Sequence, residues 1–183
     1  QFGAPIILTP FNYRFGYIKG IEFSGNYAHG PWLAYANFAY AKAQGKDIVS
    51  SQFSFDPDDL AYIQNHYIYL DHDQTYTASA GGSYRFRDGV LRGLQLGADA
   101  IYGSGLRADG AVPNGDALND YVQVNLTGSY GFTAPYAGPM SVRLDVINVG
   151  DTRYEIRDGT GVGVGAPEFG PRRGYFVGVT KSF

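Results

Sequence analysis

Apolar and polar side chains alternate with period two through most of the chain. From Tyr13 to Tyr27 the odd positions carry Tyr13, Phe15, Tyr17, Ile21, Phe23 and Tyr27, with Lys19 and Gly25 as exceptions. The even positions carry Arg14, Gly16, Gly20, Glu22, Ser24 and Asn26. Tyr76, Ala78, Ala80, Tyr84 and Phe86 likewise oppose Thr75, Thr77, Ser79, Ser83 and Arg85. Leu94, Leu96, Ala98, Ala100 and Tyr102 oppose Gln95, Gly97 and Asp99, and Val122, Val124, Leu126, Tyr130 and Phe132 oppose Gln123, Asn125, Thr127 and Ser129. Val142, Leu144 and Val146 oppose Arg143 and Asp145, and the final run sets Tyr175, Val177, Val179 and Phe183 against mostly small or polar residues. This is the signature of strands with one apolar face. A further run, Trp32 to Lys42, alternates poorly, and its faces stay open. Seven strands of about 9 to 15 residues follow, longer than the roughly 5 or 6 usual in soluble proteins. They suit tilted strands crossing a bilayer, which need about 9 to 11.

The connections sharpen this into an architecture. "AHGP", "RDGVL" and "TAPYAGP" are short and turn-like, whereas the connections from about Gln44 to Gln74, Gly103 to Asn119 and Asn148 to Arg172 are long. Short and long alternate strictly, as in an outer-membrane barrel with short periplasmic turns and long outer loops. By parity, a periplasmic C-terminus puts every long connection outside and places residues 1–12 in an outer loop. Seven strands are an odd number, and an open sheet leaves two lipid-exposed edges whose unpaired backbone groups are costly in hydrocarbon. The expected fold class is therefore all-β: an antiparallel meander forming the C-terminal part of a transmembrane β-barrel, with the plug and early strands absent from residues 1–183. An eighth strand in residues 1–10 is disfavoured by Pro5 and Pro10. The alternative is a small self-contained passive porin or adhesin-type barrel. Leu126→Arg is expected to be costly and Asn125→Arg much less so, since they sit on opposite faces.

Composition agrees. The 183 residues include 16 Tyr, 12 Phe and 26 Gly but no Cys and one Met, which favours strands and turns and excludes disulfides and thiolate metal sites. A net charge of −3 offers no electrostatic footprint for nucleic acid. There is no apolar run long enough for a transmembrane helix, which leaves transmembrane strands open.

The tail adds a resemblance. Leu144-Asp145-Val146-Ile147-Asn148, then Tyr154, a Gly-rich stretch, Pro171-Arg172-Arg173, an aromatic strand and terminal Phe183 resemble the end of TonB-dependent outer-membrane receptors. Tyr102 to Gly110 and Pro113 to Leu126 are similar to the preceding hairpin of that family. The resemblance covers roughly residues 75–183; Gly150 and Lys181 depart from its pattern. It implies an outer-membrane location, a barrel of about 22 strands, a plug domain, contact with TonB and uptake of a scarce small molecule. That ligand is most often a ferric siderophore, with cobalamin, haem, sugars and other metal chelates as alternatives. It also implies that Tyr175, Val177, Val179 and Phe183 form the signal read by the outer-membrane assembly machinery.

Candidate chemistry is sparse. Asp56, Asp58, Asp59, His66, Asp71, His72 and Asp73 make a dense polar stretch, but their spacing fits no metal site, and a solvated outer loop is the preferred reading. Asp56 followed by Pro57, Leu60 and Ile63 predicts a short capped helix. The glycines between Gly159 and Pro167 lack G-x-G-x-x-G and a following helix, and no Ser-His-Asp order, G-x-S-x-G or H-E-x-x-H occurs. An enzyme, a cofactor and a bound metal are therefore not expected. Outer-loop candidates for ligand contact are His66, Tyr67, His72, Arg107 and Arg157. Arg14, Glu22, Arg85, Asp99, Arg143 and Asp145 are expected to face the lumen, and Tyr13, Tyr27, Tyr76, Tyr102, Tyr130 and Tyr175 to form aromatic girdles.

Overall fold

The computed structural model describes residues 11–49, 56–162 and 166–181. In chain order its elements are β1 (Asn12–His29), β2 (Trp32–Val49), α1 (Pro57–Asn65), β3 (Ile68–Tyr69), β4 (Tyr76–Arg85), β5 (Leu94–Gly103), β6 (Arg107–Ala108), β7 (Asp116–Ala117), β8 (Tyr121–Ala134), β9 (Gly138–Ile147), β10 (Glu155–Asp158), β11 (Pro167–Phe169) and β12 (Gly174–Lys181). Strands β1, β2, β4, β5, β8, β9 and β12 form one antiparallel meander in that order, and β3 adds to β2. The seven expected strands are these seven. The disfavoured strand in residues 1–10 lies outside the described residues, as does Phe183.

Register carries the two faces across the sheet, because directly paired residues share a face. Phe23 pairs with Phe38, Phe38 with Ala78, Ala78 with Tyr102 and Tyr102 with Val122. Leu126 pairs with Ala98 on one side and Val146 on the other, and Val146 pairs with Tyr175. The apolar side chains thus make one continuous surface. Its members stay open, with Phe23 at 66 %, Val177 at 72 % and Val179 at 64 % exposure. An apolar face of this breadth is unsuited to water and suited to lipid. Aromatic pairs mark both rims: Tyr40 and Tyr76 at the loop end, Trp32 and Tyr84 at the turn end. From Lys19 to His29, at about 3.3 Å per residue and a tilt of about 40°, the strand rises roughly 25 Å, the height of the apolar band in outer-membrane barrels.

The same register settles β2. Trp32, Ala34, Ala36, Phe38 and Tyr40 share the apolar face, while Leu33, Tyr35, Asn37 and Ala39 share the polar one. Tyr35 lies on that polar face because Gly81 of β4 leaves room for its ring; a Cβ at Gly81 would sit 2.7 Å from Tyr35 Cε1.

The first hairpin is longer than expected, with both β1 and β2 at 18 residues. Its outer third continues past the apolar band, where Lys19 pairs with Lys42 and Tyr17 with Gln44. Tyr13 departs from its expected girdle role. It packs with Phe11, Ile48 and Tyr62 against the buried Ile63, Ile68 and Val162 of the outer connections. Its ring also lies over Gly45, where a Cβ would come 2.5 Å from Tyr13 Cγ. This cluster belongs to the outer cap; the wall itself buries little.

Tight turns close the other end. Gly30 (φ 55°) turns β1 into β2, and Tyr136 (φ 65°) with Gly138 (φ 78°) turns β8 into β9. The expected helix is present as α1, with Asp56 Oδ1 accepting from the backbone N–H of Asp58 at 2.8 Å.

Candidate functional site

Two grooves, of about 960 and 620 Å³, open on the polar face. Glu22, Arg85, Asp99, Arg143 and Asp145 all lie on this face by register. The side chains of Arg85, Asp99, Arg143 and Asp145 are tied into ladders of polar partners, whereas Glu22 makes no side-chain hydrogen bond among the described residues. Arg85 donates to Gln95 Oε1 at 3.2 and 3.0 Å, and Gln95 Nε2 donates to Ser83 Oγ at 3.0 Å. Arg143 grips Asp145 through Nε at 2.7 Å and Nη2 at 2.8 Å, and Thr127 Oγ1 donates to the same carboxylate at 2.8 Å. Arg14 stands apart: it lies in the outer extension of β1 and pairs with Asp47 at 3.2 Å.

One ladder reaches the outer connections. Asn125 Nδ2 donates to Asp99 Oδ2 at 2.7 Å, and Asn125 Oδ1 accepts from Gln123 Nε2 and from the Asn148 backbone N–H, each at 2.9 Å. Gln123 Oε1 in turn accepts from Tyr154 Oη at 3.1 Å. Tyr154 stacks on Tyr121 with centroids 4.1 Å apart, and its burial raises the phenol pKa above the ordinary value. Asn148, fully buried with φ 48°, organises the last connection. Its Nδ2 donates to the carbonyls of Thr152 and Pro171, and its Oδ1 accepts from Thr152 N–H, all at 2.9 Å. Asp151 holds the other end through Arg172 and the Arg173 backbone; the hydrogen bond from Arg172 keeps this carboxyl far below the usual carboxylate range.

The three long connections meet in a single cap. Asn114, also fully buried, donates from Nδ2 to Tyr69 O at 2.9 Å and accepts at Oδ1 from Val162 N–H at 3.2 Å, so it joins all three. Asp109 accepts from Asn114 N–H at 2.8 Å and from Gly161 N–H at 3.0 Å. Arg107 pairs with the buried Asp73 at 2.9 Å and lies over the Tyr69 ring, 3.6 Å from its centroid. Arg157 lies 3.2 Å from Asp71, 3.8 Å from Glu168 and against His72. Burial pushes the Asp71 carboxyl above its ordinary pKa, partly offset by Arg157 and His72. A recess of about 500 Å³ opens on this cap between Asp116, Asp120, Arg153 and Tyr154.

The structure therefore separates the ligand-contact candidates. Arg107 and Arg157 are largely buried struts between connections. His66 and His72 are exposed, His66 stacking on Tyr62 at 4.2 Å. Tyr67 is 44 % exposed, edge-on to Tyr17. The polar stretch expected as a solvated loop is ordered at Asp71, His72 and Asp73, because cations from two other connections reach it. Among the described residues no group of three or more His, Cys, Asp or Glu could hold a metal ion, and no helix is long and apolar enough to cross a membrane. The organising residues Asn114 and Asn148 were not singled out as a site; their signals are the Asn-Gly turn at 114–115 and the Asn before Val149-Gly150.

This architecture has known counterparts. The family model described as TonB dependent receptor-like, beta-barrel matches residues 2–149. Among solved structures, FpvA of P. aeruginosa, in complex with a heterologous ferric pyoverdine, is similar at 18 % identity and a TM-score of 0.59, over 90 % of this chain. The chain spans 19 % of the length of that one, and at this identity the likeness concerns the fold. No curated protein sequence matches. With a two-faced meander, a cap of three outer connections and a family match over residues 2–149, this chain belongs to the TonB-dependent receptor β-barrel family.

Proposed function

We propose that this chain is the C-terminal part of the barrel wall, together with outer-loop surface, of an outer-membrane receptor that imports a scarce small molecule with energy delivered through TonB. The proposed ligand class is a metal chelate of the ferric-siderophore kind. The observation that carries the reading is the sheet itself: one face is broad, apolar and rimmed by aromatics, the other polar and grooved, and the three long connections gather at one end. The family match supports the receptor role, and the pyoverdine complex of FpvA supports the ligand class. Among the described residues β1 and β12 are the edges of the meander, and strand edges exposed in lipid require further strands. Those strands, and a plug seated against Arg85, Asp99, Arg143 and Asp145, belong to the longer protein in this reading. Arg107 and Arg157 hold the cap, while His66, Tyr67 and His72 are offered to ligand. The strand bearing Tyr175, Val177 and Val179 is offered to the assembly machinery, as is Phe183, which lies outside the described residues.

The test is uptake of a radiolabelled ferric chelate by cells carrying the whole protein as their only such receptor. Energised import is expected to stop on deletion of TonB or addition of a protonophore. Uptake indifferent to both would overturn the reading in favour of a passive pore.

A further inference from the structure

Three of the chain's four lysines stand on one hairpin and one face. Lys19 of β1 is paired directly with Lys42 of β2, and Lys46 lies two same-face positions farther out, opposite Phe15. By register this face continues the apolar surface: Ile21 and Tyr40, the next outward-facing pair, are its last hydrophobic step before the lysines begin. Like charges directly opposed across an antiparallel pair repel, so the Lys19–Lys42 pair is unfavourable unless an anion sits between the two ammonium groups. No carboxylate among the described residues supplies that anion. On the same strands, Asp47 is taken by Arg14 and Glu22 lies on the polar face. In the neighbouring connection, Asp71 and Asp73 are taken by Arg157 and Arg107. The three ammonium groups rest only on aromatic rings among the described residues. Lys19 lies 5.0 Å from the Tyr17 centroid, Lys42 5.1 Å from Tyr69, and Lys46 5.4 and 5.2 Å from Phe15 and Tyr67. These aromatics lie on the outer side, so the charges are drawn away from the hydrocarbon, as lysines at a bilayer boundary are.

We propose that Lys19 and Lys42, with Lys46 beyond them, form a site for the phosphate of an outer-leaflet lipid headgroup, docked on the apolar face at the outer rim of the barrel. Charge complementarity and continuity with the lipid-facing surface both favour a lipid over a soluble anion. The inference rests on the barrel reading above.

The experiment uses the whole protein in nanodiscs, with native mass spectrometry counting retained lipid. Wild type is expected to retain phosphatidylglycerol over phosphatidylcholine, and Lys19→Gln with Lys42→Gln to weaken that retention by about 25-fold, at about five-fold per lysine. Lys19→Arg with Lys42→Arg restores it, and inorganic phosphate at the same concentration does not compete. Equal retention by wild type and the glutamine variant overturns the site. Effective competition by inorganic phosphate overturns the lipid assignment. Failure of the wild-type protein to enter bilayers at all overturns the barrel reading, and this inference with it; normal insertion without lipid preference overturns this inference alone.

Discussion

Leu126 stands near the middle of β8's apolar row, between Ala98 of β5 and Val146 of β9, and is 45 % exposed. If the apolar face meets lipid, Leu126→Arg places a guanidinium near the bilayer midplane, at a cost of about 2–4 kcal/mol. Val122 is on the same face but pairs with Tyr102 at the aromatic rim, so Val122→Arg should cost about 0–1 kcal/mol there. The polar-face control is Ser24, which pairs with Asn37, is exposed and makes no side-chain hydrogen bond among the described residues; Ser24→Arg should stay within about 0.5 kcal/mol. Asn125, the adjacent polar position on β8, is a poor control. It makes three hydrogen bonds, and losing them costs about 1 kcal/mol each, which masks the difference between faces. The assay is urea unfolding of the intact barrel in phospholipid vesicles. A Leu126→Arg cost no larger than that of Ser24→Arg refutes the assignment of faces.

Other consequences concern the cap. Arg107→Ala leaves Asp73 buried without its partner and should destabilise the protein by about 3–5 kcal/mol, read as a lowered midpoint in thermal unfolding; Arg107→Lys should recover little, because the Arg contacts are two-pronged. Asn148→Ala removes three buried hydrogen bonds and should cost about 2–4 kcal/mol, with faster amide exchange confined to residues 149–173. The two perturbed carboxyls should respond to pH in opposite senses. Asp71 binds its proton more tightly folded than unfolded, so its contribution falls as pH rises from the ordinary carboxylate range through its raised value. The Asp151 tether is fully present above the ordinary range and is lost only as pH falls through its depressed value. Carbon-13 NMR of the two carboxyls should show these midpoints on either side of the ordinary one; coincident midpoints would contradict the contacts described.

The strands were legible because lipid and lumen impose opposite demands on alternate residues, and six of the seven runs show it plainly. β2 was not, because its polar face carries Leu33 and Tyr35 and its apolar face carries Ala34 and Ala36. Only the neighbour across the sheet, Gly81, explains why an aromatic fits inside. The length of the first hairpin was hidden mainly in β2: beyond Lys42 the run Ala43-Gln44-Gly45-Lys46-Asp47 has no apolar face, so no alternation marks the strand's continuation to Val49. The cap was least legible. Its pairs join residues as far apart as Asp73 with Arg107 and Asp71 with Arg157, and no local pattern announces such partners. Tyr13 followed the alternation in sequence yet packs under the cap, where Gly45 leaves space for its ring. Among the polar-face charges, residue type and position were legible; the partners Gln95, Asn125 and Thr127 were not.

The most direct test of a barrel wall is a cysteine scan from Val122 to Thr127 in the whole protein, in membranes, with a fluorescent label read against lipid-phase and water-phase quenchers. Labels at 122, 124 and 126 are expected to be quenched from the lipid and those at 123, 125 and 127 to be shielded from it, alternating with every residue. Uniform quenching from water along the strand would contradict a sheet that spans the bilayer.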